Sequence, residues 1–214
     1  MALPWIIGGG IVVILGKVIY DAVTSGGSNS TIPKPDIIFL TGETGVGKDT
    51  IMGILDEAKF IEEHTATAKM YKSKPLDLSW LGCKVCIYNT GGADEQADIN
   101  SQEKEKLQDE LKKYGVKVFY TYVFDANVYF SDSNKRELIK VRLESSKKLA
   151  QQFGFELRII GTHRDIARKY ESKMNELVNE LRGKYGECQI YDLTQAKTNG
   201  TQMQQKLFEF IIKG

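Results

Sequence analysis

From Asp36 onward, short apolar runs alternate with longer stretches in which apolar residues return every three or four positions. "DIIFLT" (36–41) is apolar at successive positions, the pattern of a strand buried on both faces of a sheet. A glycine-rich loop follows, then a helix through about Ala58. "ATAKMYKSKPLDL" and "CKVCIYNT" read as two strands around a turn at Ser79–Gly82. From Gln96 to Tyr114 charge dominates, Leu107, Leu111 and Tyr114 share one helical face, and Gly115 marks the stop. "VKVFYTYVFDA" (116–126) is the clearest central strand. A helix is predicted from about Asn134 to Gly154, with Glu137 placed for a capping box. "FELRIIGT" predicts a strand, and Ile166, Tyr170, Met174, Leu177 and Leu181 stripe the next helix. "CQIYDLT" is the last strand, and a final helix capped by Thr201 with Gln204 carries Met203, Leu207 and Ile211. Together these predict an α/β fold over residues 36–214, a mainly parallel six-stranded sheet with helices on both faces. Ligands of such sheets bind beyond the carboxyl ends of the strands, so the segments that follow each strand hold the candidate chemistry.

The stretch before Asp36 follows a different pattern. Ala2 to Gly16 carries no charge, and after Lys17 the apolar run extends to Tyr20. As a helix it would span roughly 28 Å, close to the hydrocarbon thickness of a bilayer. Lys17 could reach the headgroups, and Trp5 and Tyr20 suit the two interfaces. The first five residues contain no basic side chain, which argues against a signal peptide. A helix buried in protein is the alternative, and it would usually show polar punctuation. The expectation is a transmembrane anchor over 1–23, a tether "TSGGSNSTIPKP" over 24–35, and a single-pass membrane protein with its domain in the cytoplasm, on the side of Lys17 and Lys34.

Composition adds limits. With 42% apolar and 27% charged residues in 214, the chain has globular composition. A formal net charge of +1 provides no whole-protein field toward nucleic acid, and none is expected as a partner. Cys83 and Cys86 form a CxxC pair in a strand-like run, where residues three apart face opposite sides, and no second pair or histidine cluster completes a zinc site. With Cys188 they read as buried thiols.

The strongest motif follows the first strand. "GETGVGKDT" matches the phosphate-binding pattern G-x-x-x-x-G-K at Gly42, Gly47 and Lys48, in the required strand–loop–helix setting. Glycines let backbone N–H groups close around phosphates, and the helix adds the positive end of its dipole. Gly42, Glu43, Thr44, Gly45, Val46, Gly47, Lys48, Asp49 and Thr50 are thus nucleotide-binding candidates, with Lys48 the cation for the outer phosphates. Asp49 stands where a magnesium-binding hydroxyl is usual.

Three further segments follow strands: "NTGGADEQ" (89–96), "GTHRD" (161–165) and "TQAKTNG" (194–200). With the glycine loop, this ordered set resembles the small Ras-like and Arf-like GTPases of the P-loop GTPase class, from about Asp36 to the C-terminus. In that family the segment after the third strand reads D-x-x-G. Gly92 matches the glycine that contacts the γ-phosphate, and Asn89 replaces the aspartate that holds magnesium through water. The base-reading motif, usually N-K-x-D or T-K-x-D, is here Thr162-His163-Arg164-Asp165. Asp165 matches the carboxylate that accepts from guanine N1 and N2, a donor pair adenine lacks, and His163 replaces the lysine. Gln195-Ala196-Lys197 matches S-A-K at Ala196, whose N–H reads guanine O6, and at Lys197. Taken alone, Asp165 is equally explained as a favourable charge at a helix N-terminus.

The resemblance also implies a switch threonine in "IEEHTATAKM", sensing γ-phosphate and metal. Thr65 and Thr67 are the candidates, and spacing from Lys48 and Asn89 favours Thr67. Lys48 and Thr67 are then the catalytic candidates, and Asp49, Thr67 and Asn89 the magnesium candidates. Asp49 and Asn89 together keep one carboxylate and one neutral oxygen, with their places exchanged. Many relatives place Gln directly after the D-x-x-G glycine to orient water; here Ala93 stands there and Gln96 lies three residues on, which predicts slow hydrolysis. The resemblance thus implies a membrane-anchored GTP/GDP switch with an effector or activating protein. The alternatives are a pseudo-GTPase scaffold and a P-loop nucleotide kinase; an arginine-rich lid for the kinase is not evident.

Overall fold

The computed structural model describes Val18 and residues 34–61, 71–89 and 101–214. Its strands are β1 (Asp36–Gly42), β2 (Tyr71–Lys72), β3 (Leu76–Leu78), β4 (Cys83–Asn89), β5 (Val118–Asp125), β6 (Glu156–Thr162) and β7 (Glu187–Ile190). The helices are α1 (Lys48–Glu57), α2 (Ser101–Tyr114), α3 (Ala126–Ser131), α4 (Ser133–Phe153), α5 (Glu171–Lys184) and α6 (Ala196–Lys213). Five strands run parallel in the order β4-β1-β5-β6-β7, which brings the carboxyl ends of β1, β5 and β6 side by side.

The chain is α/β as expected, but the sheet is mixed and has seven strands, which corrects the mainly parallel six-stranded expectation. The strand expected over "ATAKMYKSKPLDL" is two short pieces, β2 and β3, both antiparallel to β4. Pro75 lies between them and has no N–H for a ladder. Ser73 bridges the break: its N–H donates to the Ile87 carbonyl and its Oγ accepts from the Ile87 N–H, each at 2.9 Å. Residues 66–70 of that expected strand lie outside the described residues.

Each face of the sheet has its own core, because successive strand residues point to opposite sides. Ile38, Leu40, Val85, Ile87 and Val123 pack with Ile51, Ile54 and Leu55 of α1 and Met203, Leu207 and Ile211 of α6. On the other face Ile37, Phe39, Tyr88, Tyr120 and Phe124 meet Ile139 and Leu143 of α4 and Met174, Leu177 and Leu181 of α5. Along the outer edge, β7 does not expose all its carbonyls. Arg182 donates to the Cys188 carbonyl at 3.3 Å and Arg164 to the Ile190 carbonyl at 3.5 Å, which blunts strand addition there.

The transmembrane anchor expected over 1–23, and with it the single-pass membrane localisation, is also corrected. Among the described residues no helix is long and apolar enough to cross a membrane. Val18 is the one residue of that stretch described; it is fully buried and belongs to the same core cluster as Ile37 and Tyr120. Apolar side chains leave water equally well against protein and against lipid, so apolarity alone does not choose between them. Residues 1–17 and 19–33 lie outside the described residues.

Helix starts moved where an acidic or amide side chain competes for the cap. Asp125 accepts from the Val128 N–H and starts α3, a helix the apolar pattern did not reveal. Asp132 accepts from the N–H groups of Asn134 and Lys135 and starts α4. Ile166 is 58% exposed and sits in a 3₁₀ turn ahead of α5, not on its buried stripe. In α6, Asn199 is non-helical and its Oδ1 accepts from the Gln202 N–H, so Asn199 takes the capping role expected of Thr201. The kink brings Gly200 against the end of α1: a Cβ there would lie 1.8 Å from the Ala58 carbonyl oxygen. Gly200→Ala is therefore expected to lower unfolding free energy by about 1–3 kcal/mol, as overpacking typically does. Urea denaturation with an unchanged midpoint would contradict that close approach.

Candidate functional site

The loop between β1 and α1 is shaped by three glycines in the left-handed half of backbone space: Gly42 (φ 143°), Gly45 (φ 80°) and Gly47 (φ 90°). Gly42 has a second reason to lack a side chain, since a Cβ would lie 2.2 Å from the Val123 carbonyl oxygen of the neighbouring β5. Gly47 is the N-cap residue of α1, and no side chain caps that end. The first-turn N–H groups of α1 thus keep the positive end of the helix dipole facing the loop. Thr44 and Gly45 are exposed at the tip, and Val46 is buried beneath it.

Lys48 is only 6% exposed. Its Nζ donates to the carbonyls of Gly42 at 2.8 Å and Glu43 at 2.6 Å, which lays the ammonium across the loop. Burial brings its pKa down to about 8, against the opposing pull of Asp49 and with a further lowering by Arg142. Thr50 is buried, and its hydroxyl donates to the Ile61 carbonyl at 3.4 Å, bracing the segment that follows α1.

Two of the three metal candidates from sequence, Asp49 and Asn89, are brought together. Asn89, at the end of β4 and 3% exposed, donates from Nδ2 to Asp49 Oδ1 at 2.5 Å. A carboxylate accepts only, so the amide must present its nitrogen to Asp49. That leaves Asn89 Oδ1 buried, with no hydrogen-bond partner among the described residues. One carboxylate and one buried amide oxygen are hard donors that suit magnesium. Among the described residues no three His, Cys, Asp or Glu side chains gather into a metal cage. Magnesium beside phosphates needs only one or two protein oxygens.

The segment after β6 is tied directly to the loop. Thr162 is fully buried, and its hydroxyl lies 2.7 Å from the Val46 carbonyl and 3.1 Å from that of Phe124. The Thr162 methyl also stands 3.4 Å from where a Gly47 Cβ would be. His163 takes φ 56° and pairs through Nδ1 with Asp125 at 3.0 Å. That hydrogen bond raises the pKa of His163 above 6.5 against the effect of burial. Burial works to raise Asp125, but the bonds from His163 and the Val128 N–H hold it below 3.8. Asp165 precedes the 3₁₀ turn Ile166–Tyr170 and makes no capping hydrogen bond, so its half-exposed carboxylate is not consumed by the helix start.

After β7, Asp192 accepts from the Thr194 N–H at 3.1 Å and fixes the turn into α6. Ala196 is buried, and the Lys197 ammonium lies 4.8 Å from the Phe60 ring centroid. Ala196, Lys197, Gly200, Ala58, Lys59 and Phe60 line a cavity of about 420 Å³. A larger one, about 790 Å³, lies across the same turn, between Arg164, Arg168, Asp192, Gln195 and Lys206. Thr65, Thr67, Gly92, Ala93 and Gln96 lie outside the described residues.

Phe60, Asp125 and Arg142 were not singled out from sequence. Asp125 could have been found, since it ends β5 and the strand-end rule applies to it as to the others. Phe60 follows α1 without helical or strand periodicity, and Arg142 is one charge on a charged helix, so neither carries a sequence signal.

No protein-family model matches the chain. It is similar to part of the RNA1 polyprotein of Broad bean wilt virus 1 (strain Spinach/United States/ATCC PV-132/1963), 27% identical over 128 residues. That similarity covers 54% of this chain and 7% of the polyprotein, so the chain spans a small fraction of that relative's length.

The His163–Asp125 pair predicts a pH-dependent stability term. His163, raised in the folded state, contributes fully below its unfolded pKa near 6.5 and loses its contribution as pH rises through the higher folded value. Asp125, lowered, contributes above about 3.8 and loses its contribution as pH falls through the folded value. Followed from acid to alkaline pH, the difference in urea midpoint between parent and His163→Gln should therefore be largest between 3.8 and 6.5 and shrink as pH rises beyond 6.5. A difference that is constant across that range would show the pair is not ionic.

Proposed function

We propose that residues 36–214 form a guanine-nucleotide-binding domain of the P-loop GTPase type, working as a GTP/GDP switch with slow intrinsic hydrolysis. One observation supports this reading most. The loop of Lys48 and the motif Thr162–Asp165, 116 residues apart at the linking pair, are joined by the Thr162 hydroxyl on the Val46 carbonyl at 2.7 Å. A polyphosphate on the loop and a base on Asp165 would then belong to one ligand. Asp165 would accept from guanine N1 and N2; the Ala196 N–H, which the resemblance assigns to O6, donates here to the Leu193 carbonyl and would have to turn to reach the base. Adenine would leave the Asp165 carboxylate without its donors. Slow turnover follows from Ala93 standing where a water-orienting Gln is usual.

In the 214-residue chain, GTP and GDP are expected to bind well above ATP. Asp165→Ala should reduce GTP affinity on the order of 100-fold, since two hydrogen bonds to a charged acceptor are lost. It should leave inorganic tripolyphosphate binding unchanged. Equal GTP-to-ATP ratios in parent and mutant, measured by calorimetry, would reject the base-reading assignment.

The metal would be magnesium, supporting phosphate charge, with Asp49 as the carboxylate that would hold it and Asn89 Oδ1 as the neutral donor. Asn89 bonded to Asp49 also favours a second reading, a pseudo-GTPase in which the amide nitrogen takes the place of the metal. The two readings separate by substitution. Under the metal reading, Asp49→Ser weakens the magnesium dependence of GTP affinity and adding Asn89→Asp restores it, so the changes are non-additive. Under the pseudo-GTPase reading, magnesium alters GTP affinity in neither parent nor Asp49→Ser.

A further inference from the structure

Glu43 is an acid inside a loop read here as taking polyphosphate. A carboxylate close to phosphates opposes them by several kcal/mol in order of magnitude unless a cation intervenes. Lys48 feels the Glu43 charge, but its ammonium donates to the main-chain carbonyls of Gly42 and Glu43. The cation that meets the side chain comes from α4. Arg142 Nε lies 3.5 Å from Glu43 Oε1, with the arginine side chain 20% and the glutamate 30% exposed.

The surroundings keep that pair in place. Beneath it Tyr122, 3% exposed, has a hydroxyl with no hydrogen-bond partner among the described residues, and both Arg142 and Glu43 act on it electrostatically. Tyr120 next along β5 shares hydrogen bonds with Ser146 of α4 and Thr41 of β1. A narrow polar seam therefore runs from α4 under the loop, through an otherwise apolar face. In such surroundings an ion pair is screened far less than at the surface. Arg142 also acts on the Lys48 ammonium, so its charge is felt inside the loop.

We propose that Arg142 is a positioning residue of the phosphate loop: its guanidinium neutralises Glu43, which lets a loop that carries an acid accept polyphosphate. The proposal rests on the polyphosphate part of the function above and does not depend on the guanine assignment. It gives α4 a role at the site that its sequence, one charge among many, does not announce.

The test uses the 214-residue chain with GTP and with inorganic tripolyphosphate as separate ligands. Arg142→Met should weaken both by a similar factor, at least about tenfold, because the exposed partner charge opposes any phosphate. The double variant Glu43→Gln/Arg142→Met should bind both ligands at least about tenfold more tightly than Arg142→Met and should match Glu43→Gln. Recovery on removing a second group is a result that a merely misfolded Arg142 variant does not produce. If Arg142→Met alone does not fold, the comparison between Glu43→Gln and the double variant decides, and the two should match. A neutral Arg142→Met, or a double variant as weak as the single one, overturns the proposal. A parent that binds tripolyphosphate without preferring GTP to ATP rejects the guanine assignment and leaves this test intact. A parent that binds no polyphosphate overturns both.

Discussion

A charged ammonium at 6% exposure is the constraint around which this molecule is arranged. Burying a charge is costly unless it is compensated, and Lys48 finds its compensation in the carbonyls of Gly42 and Glu43. Those carbonyls can turn inward only because Gly42 adopts a backbone closed to other residues, within 2.2 Å of the Val123 carbonyl at its hypothetical Cβ. The loop therefore needs β5 directly beside β1, and it needs Thr162 from β6 to hold Val46. The parallel order β1-β5-β6 supplies both neighbours. The position of α1 is set by the same geometry, since Lys48 is both the buried cation and the helix's first residue.

Much of this was legible in the sequence. The glycine loop declared itself because glycine and lysine spacing is a direct record of backbone geometry and charge. Buried parallel strands such as β1 and β5 were legible because both faces are apolar. What escaped was decided by partners distant in sequence. Whether Asp165 caps a helix or faces outward depends on the turn that follows, and the 3₁₀ turn leaves it uncapped. The split of the second strand depends on Ser73 supplying an Oγ where the ladder fails. The N-terminal apolar run was read as lipid-facing because hydropathy records aversion to water and not what replaces it; Val18 lies in the protein core.

The exchanged pair Asp49 and Asn89 illustrates the same limit at the site. Sequence showed that a carboxylate and an amide had traded positions. Only the folded chain brings the end of β4 to the start of α1 and sets Nδ2 against Oδ1 at 2.5 Å. That contact forces the amide orientation and turns its oxygen inward, which makes one geometry serve two readings of the metal. Likewise Glu43 looked like any loop residue until α4 placed Arg142 beside it. In both cases an acid at the glycine loop is matched by a group from a different strand or helix. The candidate site is therefore a product of the whole sheet and not of its glycine loop alone.

The central claim is that one ligand joins the loop after β1 to the segments after β6 and β7. Amide hydrogen exchange on the 214-residue chain tests it most directly. With GTP, exchange should slow both in residues 42–50 and in residues 162–165 and 194–200. With inorganic tripolyphosphate it should slow in residues 42–50 alone. Protection confined to the loop with GTP, or no protection at all, would contradict the account.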